Sequence, residues 1–254
     1  MSAAVPLTPN VGPAWLQPLV ENVGKVPTAF QRRVPADVLA MISDANAKAT
    51  LAGAKRDAAV LVLFSGPQAG TASDTPPADA DLLVTVRAST LRHHAGQAAF
   101  PGGAADPGDD GPVATALREA REETGIDTDR LHVLATLDKM FIPPSGFHVV
   151  PVLAYSPDPG PVAVVDEAET AVVARVPLRA FTNPENRLMV YRSENTSRFA
   201  GPAFLLNEML VWGFTGQIIS AMIDVAGWNQ PWDTSNLVEL DDAMAKVGSD
   251  GNRR

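Results

Sequence analysis

The residues best suited to chemistry are Glu119, Glu122 and Glu123, in the run Arg118-Glu119-Ala120-Arg121-Glu122-Glu123-Thr124-Gly125-Ile126. Residues three and four apart on a helix share a face, so the three carboxylates lean together. Like charges at this spacing repel by roughly 0.2–0.5 kcal/mol a pair. Gly125 marks the helix end, and the carbonyl end of a helix carries about half a negative charge that favours Lys or Arg. The positive charge that would balance them is missing from the sequence, which points to a divalent cation. A solvated helix face is the ordinary meaning of such a run. The turn Phe100-Pro101-Gly102-Gly103 upstream and Gly125 downstream favour a site instead.

Other elements must hold this helix in place. Pro112 stands at a first helical position, with Asp109 or Asp110 near the cap, so a helix is predicted over Pro112–Thr124. Ala58 to Phe64 and Asp81 to Arg87 read as buried strands. His132 to Asp138, Phe147 to Tyr155 and Thr170 to Val176 read as further strands, the first two joined through Pro143-Pro144-Ser145-Gly146. Asp37 to Arg56 is Ala-rich and reads as a helix, Phe204 to Val225 as a long apolar helix, and the residues after Leu240 as a frayed polar tail. Residues 1–54 form an N-terminal arm and helix, with Trp15, Leu16 and Leu19 as anchors. Residues 55–235 form the main domain and 236–254 the tail. The irregular alternation of strands and helices gives an α/β class with a mixed sheet.

Composition narrows the function. At 46% apolar and 19% charged residues the chain reads as globular. A net charge of −9 argues against nucleic acid or an anionic membrane as main partner. Without cysteine there is no disulfide, zinc-thiolate site or thiol nucleophile. Met1 to Trp15 lacks a basic region followed by an apolar one, and no stretch reads as a membrane span, so the cytoplasm is the expected location. The segment Phe204 to Val225 is read as core and could also supply a homodimer surface. His132 and His148 are read as packing residues.

The run Arg118-Glu119-x-x-Glu122-Glu123-x-Gly125-Ile126 resembles the second half of the Nudix box, the signature of hydrolases of nucleoside diphosphates linked to another moiety. The first half departs. Counting back through the usual spacing gives Asp110 where that box has Glu, and Ala104 where it has Gly. If Gly103 is the glycine, the loop is one residue longer, and Asp109 or Asp110 takes the acidic place. A longer stretch, Arg87-x-x-x-x-Arg92-x-His94-x-Gly96-x-x-x-Phe100-Pro101-Gly102-Gly103, is similar to the signature of the coenzyme A pyrophosphatase branch. Ala88, Ala98 and Val84 depart from it. Asp106-Pro107, Ser145-Gly146-Phe147 and Trp212-Gly213-x-Thr215 extend the likeness.

This resemblance implies a Nudix-fold α/β/α sandwich and Mg²⁺- or Mn²⁺-dependent hydrolysis of a pyrophosphate bond. The substrate implied is coenzyme A or an acyl-coenzyme A, giving 4′-phosphopantetheine and adenosine 3′,5′-bisphosphate. Hard cations neutralise charge on phosphoryl oxygens and orient water. The resemblance makes Glu119 and Glu123 direct metal ligands, and Glu122 a further ligand or the partner of a metal-bound water. Arg118 would orient a carboxylate by a bidentate pair across to Asp109 or Asp110. Glu169, with Glu167 beside it, is the candidate general base. Gly102 and Gly103 allow close backbone approach. Ser145 would reach the pyrophosphate, and Arg87, Arg92 and His94 would bind an extra 3′-phosphate. Two alternatives stay open: another Nudix substrate such as ADP-ribose, a dinucleoside polyphosphate or a nucleoside triphosphate, and a non-catalytic binding module on the same fold.

Overall fold

The computed structural model describes residues 5–53, 56–69, 75–90, 96–143, 145–192, 199–207 and 209–249. Helices α1 (Gln17–Glu21), α2 (Val26–Gln31) and α3 (Ala36–Leu51) precede strand β1 (Arg56–Ser65). Then come β2 (Asp81–Arg87), β3 (Ala98–Ala99), β4 (Gly102–Ala104) and helix α4 (Gly111–Thr124). Strands β5 (His132–Thr136), β6 (Met140–Ile142), β7 (Phe147–Ser156) and β8 (Thr170–Pro177) follow, and then helix α5 (Leu178–Thr182). The last elements are β9 (Arg187–Tyr191), β10 (Ala200–Leu206), β11 (Met209–Val211), α6 (Gly213–Ala226), β12 (Leu237–Glu239) and α7 (Leu240–Ser249).

The main sheet runs β3-β2-β1-β7-β5, with β4 added to β1, β6 to β7 and β8 to β2. At its centre β1 and β7 pair in parallel from Arg56↔Phe147 to Ser65↔Ser156, and the antiparallel neighbours make the sheet mixed. Both strands of the parallel pair are buried over most of their length, which is why they read as continuous apolar runs rather than alternating ones.

Each face of the sheet is covered. On one, Ala116 and Ala120 of α4 pack on Ala59, Leu61, Leu63, Val152 and Ala154. Small alanines let the helix lie close, so its polar side reaches the sheet's end. On the other face, Val62, Phe64, Leu82, Leu153 and Tyr155 pack with Trp15, Leu16 and Leu19 of the arm, Ile218, Ile219 and Met222 of α6, and Trp228. Trp15 donates through its indole N–H to the Pro67 carbonyl at 2.9 Å. The expected α/β/α layering is present, and the arm anchors lie inside it.

Three expectations are corrected. The helix expected over Asp37 to Arg56 is α3 and stops at Leu51, followed by Gly53 at φ +65°, and Arg56 opens β1 instead of closing that helix. The segment read as one helix from Phe204 to Val225 is β10, β11 and then α6, and β10 and β11 belong to a second sheet ordered β11-β10-β9-β12. These short strands are apolar along their length and carry no polar alternation, so periodicity does not separate them from a buried helix. The tail segment 236–254 forms β12 and, where a frayed end was expected after Leu240, helix α7 as far as Ser249. Leu240 and Ala243 of α7 are buried against Leu188, Val190, Ala203 and Leu210 of the second sheet. Among the described residues no helix is long and apolar enough to cross a membrane.

Candidate active site

The site is built where β4 meets the C-terminal turn of α4. Gly125 sits at φ +66° and returns its N–H to the Arg121 carbonyl, ending the helix at Thr124, one residue past Glu123. Leu61 N–H donates to the Pro101 carbonyl at 2.8 Å, and Ala59 and Val60 face Gly103 and Gly102, so β1 draws the glycine turn onto the sheet. The two glycines then do different work. A Cβ on Gly102 would stand 2.4 Å from the Ala59 carbonyl oxygen and 2.6 Å from Val60 Cα. A Cβ on Gly103 would stand 2.6 Å from the carboxylate atoms of Glu119. The first glycine admits the neighbouring strand, and the second admits the glutamate. Gly102 N–H also donates to Glu123 Oε2 at 3.1 Å.

Arg118 ties the loop to the helix. Its Nε and Nη2 bond Asp109 Oδ1 and Oδ2 at 3.0 and 2.9 Å, its Nη2 also reaches the Ala104 carbonyl, and its Nη1 bonds Glu119 at 2.9 Å and Glu122 at 3.0 Å. The fork of the guanidinium matches a carboxylate in two bonds, which fixes orientation as well as charge. Between the two aspartates considered for this pairing, the structure chooses Asp109. Asp110 occupies the cap position without a side-chain cap bond. Asp109 also accepts from Thr115 Oγ1 and Asp106 N–H, both at 2.9 Å.

The electrostatics divide along the same lines. Arg118 holds the Asp109 carboxyl far below the usual carboxylate range, and Asp109 in turn raises Arg118. Burial pushes Glu119 up against the pull of Arg118. Burial raises Glu123 to about 7; the Gly102 N–H opposes this, Glu119 and Glu169 add to it, and Arg87 pulls the other way. Two adjacent carboxylates are therefore held where their negative charge is costly.

Beside them lies a cavity of about 420 Å³ lined by Arg56, Ala58, Val60, Arg87, Gly102, Gly103, Ala104, Ile142, Ser145, Phe147 and Val149. It brings together Arg87, Gly102, Gly103 and Ser145, four positions singled out in the sequence. Among the described residues, Arg87 Nε is buried with no hydrogen-bond partner. Ser145 Oγ donates to the Ile142 carbonyl at 3.2 Å and accepts from Phe147 N–H at 3.4 Å. Glu169 is exposed in the turn before β8, where its carbonyl accepts from Ala88 N–H at 2.9 Å. Glu167 is exposed in the same turn. Arg92 and His94 lie outside the described residues. Among the described residues no three acidic or imidazole groups converge as a ready metal cluster. Arg118 Nη1 stands between Glu119 and Glu122, and Glu123 turns onto Gly102. Sequence reasoning missed Arg56 as a wall of the cavity. Its guanidinium lies 4.0 Å from the centre of the Phe147 ring.

The NUDIX domain family model matches residues 56–193, more than half of the chain. The chain belongs to the Nudix family. The uncharacterized Nudix hydrolase NudL of Photorhabdus laumondii is 38% identical over 138 residues, covering 54% of this chain and 73% of that protein. NudL of Yersinia pestis (strain Pestoides F) is 39% identical over 139 residues, covering 54% and 68%. Among solved structures, a Nudix hydrolase from M. smegmatis, RenU, overlaps 49% of this chain and 73% of its own at 25% identity and a TM-score of 0.39. A C. elegans Ap4A hydrolase binary complex overlaps 49% and 81% at 22% identity and a TM-score of 0.36. This Nudix protein is a pyrophosphohydrolase, an enzyme class that acts on nucleotide derivatives with divalent metal ions.

Proposed function

We propose that this Nudix hydrolase cleaves the pyrophosphate bond of coenzyme A or an acyl-coenzyme A, with Mg²⁺ or Mn²⁺, to give 4′-phosphopantetheine and adenosine 3′,5′-bisphosphate. The observation that carries the reading is the cavity in which Arg87, Gly102, Gly103 and Ser145 meet, with Glu119 and Glu123 packed behind the glycines. An orphaned guanidinium N–H in a cavity wall is costly until an acceptor arrives, and a phosphate oxygen is a strong acceptor.

The donor set fits a hard divalent cation. Glu119, Glu122 and Glu123 supply only oxygen, and burial sets the Glu119 and Glu123 carboxylates against their own charge. These three residues would hold the ion after Arg118 Nη1 yields Glu119 and Glu122. When bound, the ion neutralises charge on the phosphoryl oxygens and lowers the pKa of an attacking water. Arg118 keeps its bidentate grip on Asp109 throughout and so fixes the loop above the helix. Glu169 accepts a proton from the attacking water. Water oxygen bonds to phosphorus, the bridging oxygen leaves with the second phosphate, and one phosphomonoester appears on each product. Ser145 orients the pyrophosphate, while Arg87, with Arg92 and His94, grips the 3′-phosphate.

Turnover of coenzyme A against its 3′-dephospho form tests the assignment. One charge-assisted contact to the 3′-phosphate contributes about 1.5–3 kcal/mol, so kcat/KM should favour coenzyme A by at least about tenfold. Equal values for the two compounds would remove the coenzyme A assignment.

A further inference from the structure

The cavity has two unlike ends. At one, the Gly102-Gly103 turn, Arg87 and the buried carboxylates suit phosphates. At the other, Arg56 and Phe147 stand side by side, because they are direct partners in the parallel β1–β7 ladder. The Arg56 guanidinium lies 4.0 Å from the Phe147 ring centre, so nothing fits between them, and the guanidinium covers one face of the ring. Arg56 is exposed, and among the described residues no carboxylate pairs with it. Ile142, the ladder partner of Phe147, adds apolar surface at this end, and Ala58, Val60 and Val149 also line the cavity.

We propose that Arg56 and Phe147 form the platform on which the purine base of the substrate stacks. A guanidinium is planar, delocalised and weakly hydrated, and it stacks on flat π-systems. The guanidinium already stands over the Phe147 ring, and both residues line the cavity. A nucleoside diphosphate has the matching layout, charged at one end and flat and apolar at the other. The volume lies within the roughly 300–1,000 Å³ of small-molecule sites. The inference rests on a nucleotide substrate, but not on coenzyme A in particular.

Calorimetric titration of the full chain with adenosine 3′,5′-bisphosphate, and separately with inorganic pyrophosphate, tests it. Arg56→Ala and Phe147→Leu should each weaken adenosine 3′,5′-bisphosphate by at least about tenfold and change pyrophosphate affinity less than twofold. Arg56→Lys keeps the charge but loses the plane, and should weaken the nucleotide at least threefold. Far-ultraviolet dichroism and thermal unfolding confirm that each variant is folded. Unchanged nucleotide affinity in both Arg56→Ala and Phe147→Leu overturns the platform. An equal loss for pyrophosphate also overturns it, by making Arg56 a phosphate ligand. If coenzyme A proves not to be hydrolysed while the adenine-dependent loss is seen, the platform stands and only the substrate assignment falls.

Discussion

Placing the same alanine at two adjacent glycines should give opposite results. At Gly102 the new Cβ would meet backbone, 2.4 Å from the Ala59 oxygen and 2.6 Å from Val60 Cα. Ordinary contact begins near 3.4 Å, so β4 must retreat from β1 by about an ångström. Ladder bonds near 2.9 Å would then open past their useful range. Two such bonds at about 1 kcal/mol each, with about 1–3 kcal/mol of overpacking, make a loss of roughly 3–5 kcal/mol. At about 2–4 °C per kcal/mol for a chain of this size, Gly102→Ala should lower Tm by roughly 6 °C or more. At Gly103 the three atoms nearest the new Cβ all belong to the carboxylate end of Glu119, 2.6 Å away. That flexible group rotates aside, exchanging its bond to Arg118 for water at a cost of about 1 kcal/mol. Gly103→Ala should therefore keep Tm within a few degrees and lose about 10²-fold in kcat, since a misplacement of about 1 Å costs that much. Differential scanning calorimetry and Mg²⁺-supported turnover read the two effects separately. Equal destabilisation by both alanines, or full activity in Gly103→Ala, would refute the division of labour between the glycines.

The Asp109–Arg118 pair makes stability acid-sensitive. The folded carboxyl lies below its ordinary value of 3.8, so its contribution is present above that value and lost as pH falls toward the folded one. Asp109→Asn should cost on the order of 2 kcal/mol at pH 7 in urea unfolding, and the gap to the parent should shrink below about pH 4. Metal removal should expose the cost of Glu123. In chelator at pH 8 its buried carboxylate is ionised although the fold raises its pKa from 4.5 to about 7, a burden of roughly 3 kcal/mol. Glu123→Gln should therefore melt higher than the parent in chelator at pH 8, with a gap below about 1 kcal/mol at pH 5. The same gap at both pH values would count against this. Mg²⁺ should raise the Tm of the parent and leave Glu123→Gln nearly unmoved, as linkage requires of a ligand that binds only the folded form.

What was legible in the sequence was local. The helix of Glu119, Glu122 and Glu123 and its stop at Gly125 follow from spacing within one element and from a left-handed residue that glycine adopts freely. The reach of Arg118 back to an aspartate was legible too, while the choice of Asp109 over Asp110 was not. That choice depends on how the loop folds on itself through Asp106 N–H and Thr115. Arg56 was placed at the end of a helix, because its role comes from pairing with Phe147 across a parallel ladder between strands far apart in the chain. No local pattern encodes that pairing. The second sheet was hidden for another reason: the apolar runs Phe204-Leu205-Leu206 and Met209-Leu210-Val211 on either side of Asn207-Glu208 show no alternation, so there was no strand period to detect.

The central claim is that the three carboxylates at the end of α4 hold the divalent ion with which this enzyme cuts a phosphoanhydride. Mass-resolved products of coenzyme A turnover in Mg²⁺, compared between the parent and Glu122→Gln and Glu119→Gln, test it most directly. The account predicts 4′-phosphopantetheine and adenosine 3′,5′-bisphosphate from the parent, and a fall in kcat of at least about 10²-fold in both folded variants. Undiminished turnover in both variants would contradict it.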